Sequence, residues 1–309
     1  MIVTLTINPA IDRTISVDRL AFEDSGRINS CRESAGGRGL NASCVIHSFG
    51  EETHAVLTSG GATGKRLEEY LSSSGFRYSA VPIEQEIRTN LTITDRHGLT
   101  VKLNEAGPKL TRVEAARVER VVRELLKKAS WLMVCGSIAP GVSATLYARL
   151  IAMARERKVK TLLDASGEEL RQGIEAGPTV VTPNRQEAEE LLGRTLLTST
   201  HQLEAAARIR SMGAESVVLS LGSRGAIGAF RDGLYEALPP RVDALCPMGA
   251  GDALAAGFVW AMRRKSKTID ALRWSVAAGT ASAQLPGMAF ATFAQTEAIY
   301  QQVEVRRVE

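Results

Sequence analysis

Trp131-Leu132-Met133-Val134-Cys135-Gly136-Ser137-Ile138-Ala139-Pro140-Gly141 reads as a buried strand running straight into a glycine-bearing loop. Five apolar residues without alternation suit a strand covered on both faces. The same unit recurs downstream. A helical stretch over 143–157 leads to a strand over 159–163 that ends at Asp164. A short helix over 167–175 leads to a strand over 179–182, followed by Pro183-Asn184-Arg185-Gln186-Glu187 and another helix. A helix over 201–212 leads to a strand over 216–220, followed by Leu221-Gly222-Ser223-Arg224-Gly225. Upstream, residues 111–128 form an amphipathic, strongly charged helix. Strands alternating with helices predict a parallel sheet with helices on both faces. Polar and glycine residues just past the strand ends predict a ligand crevice along that edge. Strands over 226–230 and 233–237 read as a hairpin turning on Asp232-Gly233. Helices over 252–264, 268–283 and 294–303 close the chain, and residues 304–309 are expected to fray.

The chemistry concentrates at Cys246-Pro247-Met248-Gly249-Ala250-Gly251-Asp252-Ala253-Leu254, a small-residue turn that opens into an apolar helix. Glycine lets backbone N–H groups approach a ligand closely. The helix N-terminus adds unpaired donors and the positive end of its dipole. Asp252 stands in this anion hole, where it can take a proton from an attacking hydroxyl. A base for the acceptor beside fixed donors for developing charge is what phosphoryl transfer needs. Alone, the four residues Gly249 to Asp252 are equally a tight turn with a capping Asp. Their neighbours decide.

Residues 2–7 form a buried strand ended by Asn8-Pro9-Ala10, and Asp12 is expected in the loop beyond, where open α/β sheets hold ligands. Stretches 14–19, 27–33, 88–94 and 99–103 alternate apolar and polar residues. They predict a four-stranded sheet, exposed on one face, standing as a lid outside the main core. Asp95-Arg96-His97-Gly98 makes a hairpin turn within it, and Asn104-Glu105-Ala106-Gly107-Pro108 returns the chain to the body. Ala35-Gly36-Gly37-Arg38-Gly39-Leu40-Asn41 is a second glycine-rich approach to a helix, over 40–49. It lacks the dinucleotide spacing. Gly60-Gly61-Ala62-Thr63-Gly64-Lys65-Arg66 resembles a P-loop, but its glycines are one residue too close and Arg66 replaces the hydroxyl that binds magnesium. Those glycines are expected to bring a strand end close to ligand or to the next helix, over 65–73.

The 309 residues carry 44% hydrophobic side chains, enough for a sizeable core, and a net charge of +4. No long basic run is present and aromatics are few, which argues against nucleic acid as partner. No apolar run approaches membrane-spanning length. Without a charged leader and apolar core, the N-terminus predicts a cytoplasmic protein. Cys31, Cys44, Cys135 and Cys246 lie far apart and read as reduced thiols, and the four histidines are scattered.

These segments, taken in order, resemble the PfkB family of ribokinase-like carbohydrate kinases along the whole chain. The matching stretches are Asn8 to Asp12, Gly36 to Asn41, Gly60 to Gly64, Arg88 to Asn90, Leu103 to Pro108, Gly136 to Val142, Asp164 to Glu168, Pro183 to Glu187, Ser220 to Ala226 and Gly249 to Asp252. The Asn-Pro-Ala-Ile-Asp opening and the Leu-Asn-Glu-Ala-Gly-Pro stretch point to the phosphosugar branch: 1-phosphofructokinase, tagatose-6-phosphate kinase and the minor 6-phosphofructokinase. The resemblance implies a three-layer α/β/α fold with a mostly parallel central sheet, as one domain over 1–309 with lid strands inserted at about 13–34 and 87–104. It implies an ATP-dependent kinase that phosphorylates a ketohexose phosphate to a bisphosphate.

The implied roles follow residue by residue. Asp252 is the base, with Gly249, Ala250 and Gly251 around the transferring phosphate. Asn184 and Glu187 organise Mg2+ through water. Ser220, Gly222 and Gly225 hold the ATP phosphates. Asp12, Gly37 and Asn41 hold sugar hydroxyls. Arg27, Arg38 and Arg88, with Ser137, clamp the acceptor's phosphate, a task suited to guanidinium groups. A monovalent cation such as K+ is implied by carbonyls near this loop and Gly287, although Pro247 replaces the family's usual Thr. The resemblance further implies a homodimer through lid-to-lid packing, with Ile15, Val17 and Ile28 expected to be exposed. Two other readings stay open. A kinase of an unphosphorylated sugar or nucleoside needs the three arginines to be surface charges. A non-catalytic sugar-phosphate-binding protein needs a broken base, anion hole or magnesium pair, and all three are intact here.

Overall fold

A computed structural model describes residues 1–20, 24–287 and 289–308. In chain order the elements are β1 (Ile2–Thr6), β2 (Ala10–Val17), β3 (Ile28–Gly36), α1 (Arg38–Ser48), β4 (Thr53–Ser59), α2 (Gly61–Ser72), β5 (Arg77–Pro82), β6 (Arg88–Asp95), β7 (Thr100–Asn104), α3 (Arg112–Leu125) and β8 (Trp131–Cys135). They continue as α4 (Leu146–Glu156), β9 (Lys160–Asp164), α5 (Gly167–Glu175), β10 (Val180–Val181), α6 (Arg185–Leu192), α7 (Ser199–Ser211) and β11 (Ser216–Ser220). The chain closes with β12 (Ala226–Phe230), β13 (Gly233–Leu238), α8 (Ala250–Arg263), α9 (Thr268–Ala283), α10 (Phe293–Tyr300) and β14 (Glu304–Val308).

The main sheet has ten strands in the order β14-β13-β12-β11-β10-β9-β8-β1-β4-β5. From β5 to β11 every pairing is parallel, and β12, β13 and β14 add on antiparallel. Apolar side chains alternate between the two faces of each strand, so each face gains its own core. Leu132 and Val134 pack with Leu67, Val118, Leu146 and Leu170, beneath α2 to α5. Trp131 and Met133 pack with Val45, Phe258 and Val276, beneath α1, α8 and α9. This is the expected three-layer arrangement.

A second sheet of four strands, β3-β2-β6-β7, stands apart as the lid. Asp12 belongs to its strand β2 and not to a loop, because pairing resumes at Ala10, which faces both Gly36 and Arg88. β2 and β6 therefore start, and β3 and β7 end, at one baseline beside the body. Val17 is buried and Ile15 half-buried, not exposed; Ile28 alone of the three is exposed as expected. The sequence predicts only a strand end before Gly60, with no bounds for β4, and no strand at β5. Residues 304–308, expected to fray, instead pair with β13 at the sheet edge. An Arg306–Glu236 ion pair at 2.6 Å and the Arg307 guanidinium donating to the Asp232 carbonyl at 2.8 Å hold them there.

The glycines at 60–64 serve packing. A Cβ at Gly60 would lie 2.2 Å from the Gln85 carbonyl, and one at Gly64 2.7 Å from Ser59 Oγ. Gly225 is more constrained still. Its φ is +86°, and a Cβ there would sit 2.0 Å from the Ala237 carbonyl oxygen. Gly225→Ala is expected to lower Tm by about 5 °C or more, since both backbone strain and a backbone clash oppose it. Thermal melting checks this; an unchanged Tm would show that β13 can yield.

Candidate active site

The C-terminal ends of the parallel strands deliver the polar residues that the sequence places there. Gly249 is the N-cap of α8 with φ +76°, a conformation glycine adopts without strain. It turns the chain so that Ala250, Gly251 and Asp252 form the first helical turn. First-turn N–H groups have no acceptor within the helix. A Cβ on Gly251 would meet open space, so that backbone is accessible. Asp252 is buried, and Asn41 Nδ2 donates to its Oδ2 at 2.7 Å. Asn41 arrives on α1, whose start is set by Gly37 at φ +135°, packed so that a Cβ would lie 2.4 Å from Thr6 Cγ2.

Asn184 and Glu187 form a reciprocal cap at the start of α6. Asn184 Oδ1 accepts from the Glu187 N–H, and Glu187 Oε2 accepts from the Asn184 N–H, both at 2.9 Å. The N-x-x-E spacing is itself a capping signature. The other Glu187 oxygen accepts from Arg38 Nη2 at 3.0 Å, and Arg38 Nη1 donates to Asp164 Oδ1 at 2.8 Å. Arg38, expected on the acceptor's phosphate, is thus held between two carboxylates from β9 and α6. Its own proton is bound more tightly than usual, chiefly by the charge of Asp164.

Two contiguous clefts open here. The larger, about 470 Å³, is lined by Thr182, Asn184, Glu187, Ser220, Gly249, Gly251 and Asp252 from the body and by Asn90, Thr92, Lys102 and Asn104 from the lid. The smaller, about 260 Å³, is lined by Asn8, Gly37, Arg88, Gly136, Ser137 and Ser166. Asp12, Arg38, Asn41, Asn90 and Asn104 line both. Arg88 opens β6 and donates to the carbonyls of Asn8 and Glu105, each at 3.0 Å. Asn90 Nδ2 donates to Asp12 Oδ1 at 2.8 Å.

Burial dominates the electrostatics. It pushes the Asp252 carboxyl up to about 7, reinforced by the charge of Asp164 and opposed by the Asn41 hydrogen bond and by Arg38. It raises Asp12 as well, against the Asn90 bond and Arg88, and raises Glu187 against Arg38. A carboxyl tuned toward neutrality is suited to exchanging a proton with a hydroxyl. Among the described residues no group of three or more His, Cys, Asp or Glu side chains is placed to cage a metal. The Asp164–Glu187 pair, separated here by a guanidinium, suits a hard cation that takes one or two carboxylates and completes its shell with phosphates and water.

Not every expected residue lines these clefts. Ala250 lies within the first turn of α8, and Gly222 and Gly225 bound the 3-10 turn after Ser220. That turn is held beside Asn184, because the Ser220 N–H donates to the Pro183 carbonyl at 2.9 Å. Gly287 adopts φ +66° and lines neither cleft. Arg27 is a correction. Gly36 ends β3 at the lid's base, whereas Ile28 pairs with Val17 at its tip. Arg27, just before Ile28, therefore stands about 25 Å up the lid from its base at Gly36, at ~3.3 Å per residue, and lines neither cleft. Asn90, Thr92, Lys102, Asn104 and Asp164 line the larger cleft without having been singled out as site residues. The signals available were the period-two alternation of the lid strands and the position of Asp164 at the end of its strand.

A deep crevice at the C-terminal edge of a ten-stranded sheet, closed over by a small β lid and floored by a glycine-opened helix bearing one carboxylate, defines a ribokinase-like small-molecule kinase. The family model described as pfkB family carbohydrate kinase matches residues 3–293, and the chain belongs to that family. It is 33% identical over 290 residues to an ATP-dependent 6-phosphofructokinase isozyme 2 of Mycobacterium tuberculosis, spanning 93% of this chain and 85% of that one. It is 28% identical over 311 aligned positions to a tagatose-6-phosphate kinase of Staphylococcus epidermidis, covering both chains fully. Among solved structures, phosphofructokinase-2 from Escherichia coli in complex with potassium superposes with a TM-score of 0.92 at 28% identity, over 97% of this chain and 98% of that one. A possible 1-phosphofructokinase from Thermotoga maritima gives 0.92 at 26% identity over the full length of both.

Proposed function

We propose that this chain is an ATP-dependent kinase that transfers a phosphoryl group to a hydroxyl of a ketohexose phosphate, with fructose 6-phosphate, tagatose 6-phosphate and fructose 1-phosphate as the candidate acceptors. The observation that carries it is the smaller cleft. It sets the Arg88 guanidinium and Ser137 beside Asp12 and Asn41, and it opens toward Asp252 through those shared residues. Sugar hydroxyls meet Asp12, Asn41 and the half-buried backbone of Gly37, and the acceptor's phosphate meets Arg88 and Ser137. Asp252 receives the proton of the attacking hydroxyl. The N–H groups of Gly249 and Gly251 face the charge that develops on the transferred group, whereas the Ala250 N–H, expected beside them, donates to the Pro247 carbonyl at 3.3 Å. ATP phosphates extend toward Ser220, Gly222 and Gly225. Mg2+ would sit near Glu187 and Asn184, neutralising phosphate charge. A monovalent cation such as K+ at carbonyls near Gly287 belongs to the same reading. Arg27 lies too far up the lid to share the phosphate within one chain.

The deciding assay measures ADP release with Mg2+ and ATP on the three ketohexose phosphates, ribose and adenosine, compared by kcat/KM. Preference for one ketohexose phosphate is expected. Preference for ribose or adenosine would refute the phosphate clamp. The lid also exposes Ile28, Leu99 and Leu103, each more than half accessible. Burying them against a second lid supports a homodimer. One Escherichia coli phosphofructokinase-2 structure is described as a tetrameric inhibited form. Analytical ultracentrifugation at micromolar concentration is expected to give a dimer; a monomer throughout would refute lid pairing.

A further inference from the structure

The underside of the lid carries a cation that the reading above leaves unused. Register places Asp12, Asn90 and Asn104 in one cross-strand row, and Thr92 and Lys102 in the next row on the same face. The first row serves the acceptor side. The second faces the loop that leads into α8: the Thr92 hydroxyl donates to Met248 Sδ at 3.6 Å, and Met248 precedes the Gly249 turn. Lys102, beside Thr92, lines the larger cleft and not the smaller one.

Charge makes this lysine informative. Four carboxylates line the larger cleft, those of Asp12, Asp164, Glu187 and Asp252, against two cations, Arg38 and Lys102. Arg38 is engaged by Asp164 and Glu187. Lys102 has no ion pair or hydrogen bond among the described residues. A phosphoryl group brought to Asp252 meets a strongly negative wall, and one mobile cation reaches in from the opposite side. Lysine suits this task, being a compact charge with three donors on a flexible stem.

We propose that Lys102 is the lid's ligand for the phosphoryl group in transfer. This rests on the kinase reading above and adds a residue to it. In the step, the acceptor oxygen forms a bond to the γ-phosphorus. The bond from that phosphorus to the bridging oxygen breaks, and its electron pair leaves with ADP. The acceptor proton passes to the Asp252 carboxylate. Lys102 keeps its proton and donates to the γ-phosphate oxygens, offsetting their charge from the lid side while the Gly249 and Gly251 N–H groups do so from the floor. Lid closure and catalysis are thereby coupled: the cation arrives only when the lid covers the nucleotide.

The test uses the full chain with Lys102→Met and Lys102→Arg, each checked for an unchanged melting temperature. Steady-state kinetics are combined with calorimetric titration of ADP and of a non-hydrolysable ATP analogue, both with Mg2+. Lys102→Met is expected to lower kcat about 100-fold, leave the sugar-phosphate KM unchanged, and reduce analogue affinity about tenfold relative to ADP. Lys102→Arg is expected to restore at least about tenfold of the lost kcat. An unchanged kcat and an unchanged analogue-to-ADP ratio overturn the proposal. So does an effect confined to the sugar-phosphate KM, which would put Lys102 on the acceptor. Absence of turnover in the wild type refutes the kinase reading instead. The binding ratio then still decides for or against a γ-phosphate contact.

Discussion

Asp252→Asn is expected to lower kcat about a thousandfold while leaving both substrate KM values within about threefold. The substitution is isosteric, and the Asn41 side chain still finds an oxygen to donate to at this position. What is lost is the proton acceptor. Burial holds the Asp252 carboxyl near 7, so the wild type is expected to show an acidic limb in kcat/KM. Activity needs the carboxylate form, so the rate falls as pH drops through that value and levels off above it. In Asp252→Asn the limb is expected to disappear along with the rate. Removing a buried charge also predicts an unchanged or raised melting temperature, which separates loss of chemistry from loss of fold. Turnover within tenfold of wild type, or an undisturbed acidic limb, would assign the base to another group.

Arg88→Ala is expected to raise the KM for the sugar phosphate about 100-fold, with kcat reduced less than tenfold and the ATP KM unchanged. The guanidinium is fixed before any ligand arrives. Its two terminal nitrogens hold the carbonyls of Asn8 and Glu105, and its Nε is buried with no partner among the described residues. A preplaced cation loses little side-chain entropy on binding, so its removal is costly to affinity. The same bonds tie the base of β6 to the body, so the melting temperature must be followed as well. A KM that does not move would return the arginine to a purely structural role and favour an unphosphorylated acceptor.

The two substitutions read different parts of the chain, and the parts were unequally legible. Strands β8, β11 and β12 match their expected bounds because each is an apolar run closed by glycine or a polar turn. Strands β4 and β5 carry Thr53, His54, Thr58, Arg77 and Ser79, which break the apolar run. Their polar groups are satisfied only in the folded sheet: His54 Nε2 meets Ser79 Oγ at 2.8 Å, and the Thr58 hydroxyl donates to the Ile7 carbonyl at 3.1 Å. β14 was hidden for a related reason. Its charged residues resemble a solvated tail until Glu236 and the Asp232 carbonyl stand opposite them.

In the site, local chemistry spoke early. Gly249-Ala250-Gly251-Asp252 announces a carboxylate at a helix start, and Asn184-x-x-Glu187 announces a reciprocal cap, because both depend on neighbours within one turn. The sequence by itself determined the three-layer fold, the crevice at the strand ends, the lid, and Asp252 within it. It did so because apolar periodicity and turn chemistry act over a few residues. Partners far apart in the chain were decided only by the tertiary structure. Arg38, expected on the acceptor's phosphate, meets Asp164 and Glu187 across 126 and 149 residues and so is also the counter-charge of two carboxylates. Arg27 is carried to the lid's tip by the antiparallel course of β3. Lys102 faces the cleft through the register of β7 on β6. Coulombic and hydrogen-bonding partners are chosen by proximity in space, and that proximity exists only once the sheet and its lid have been assembled.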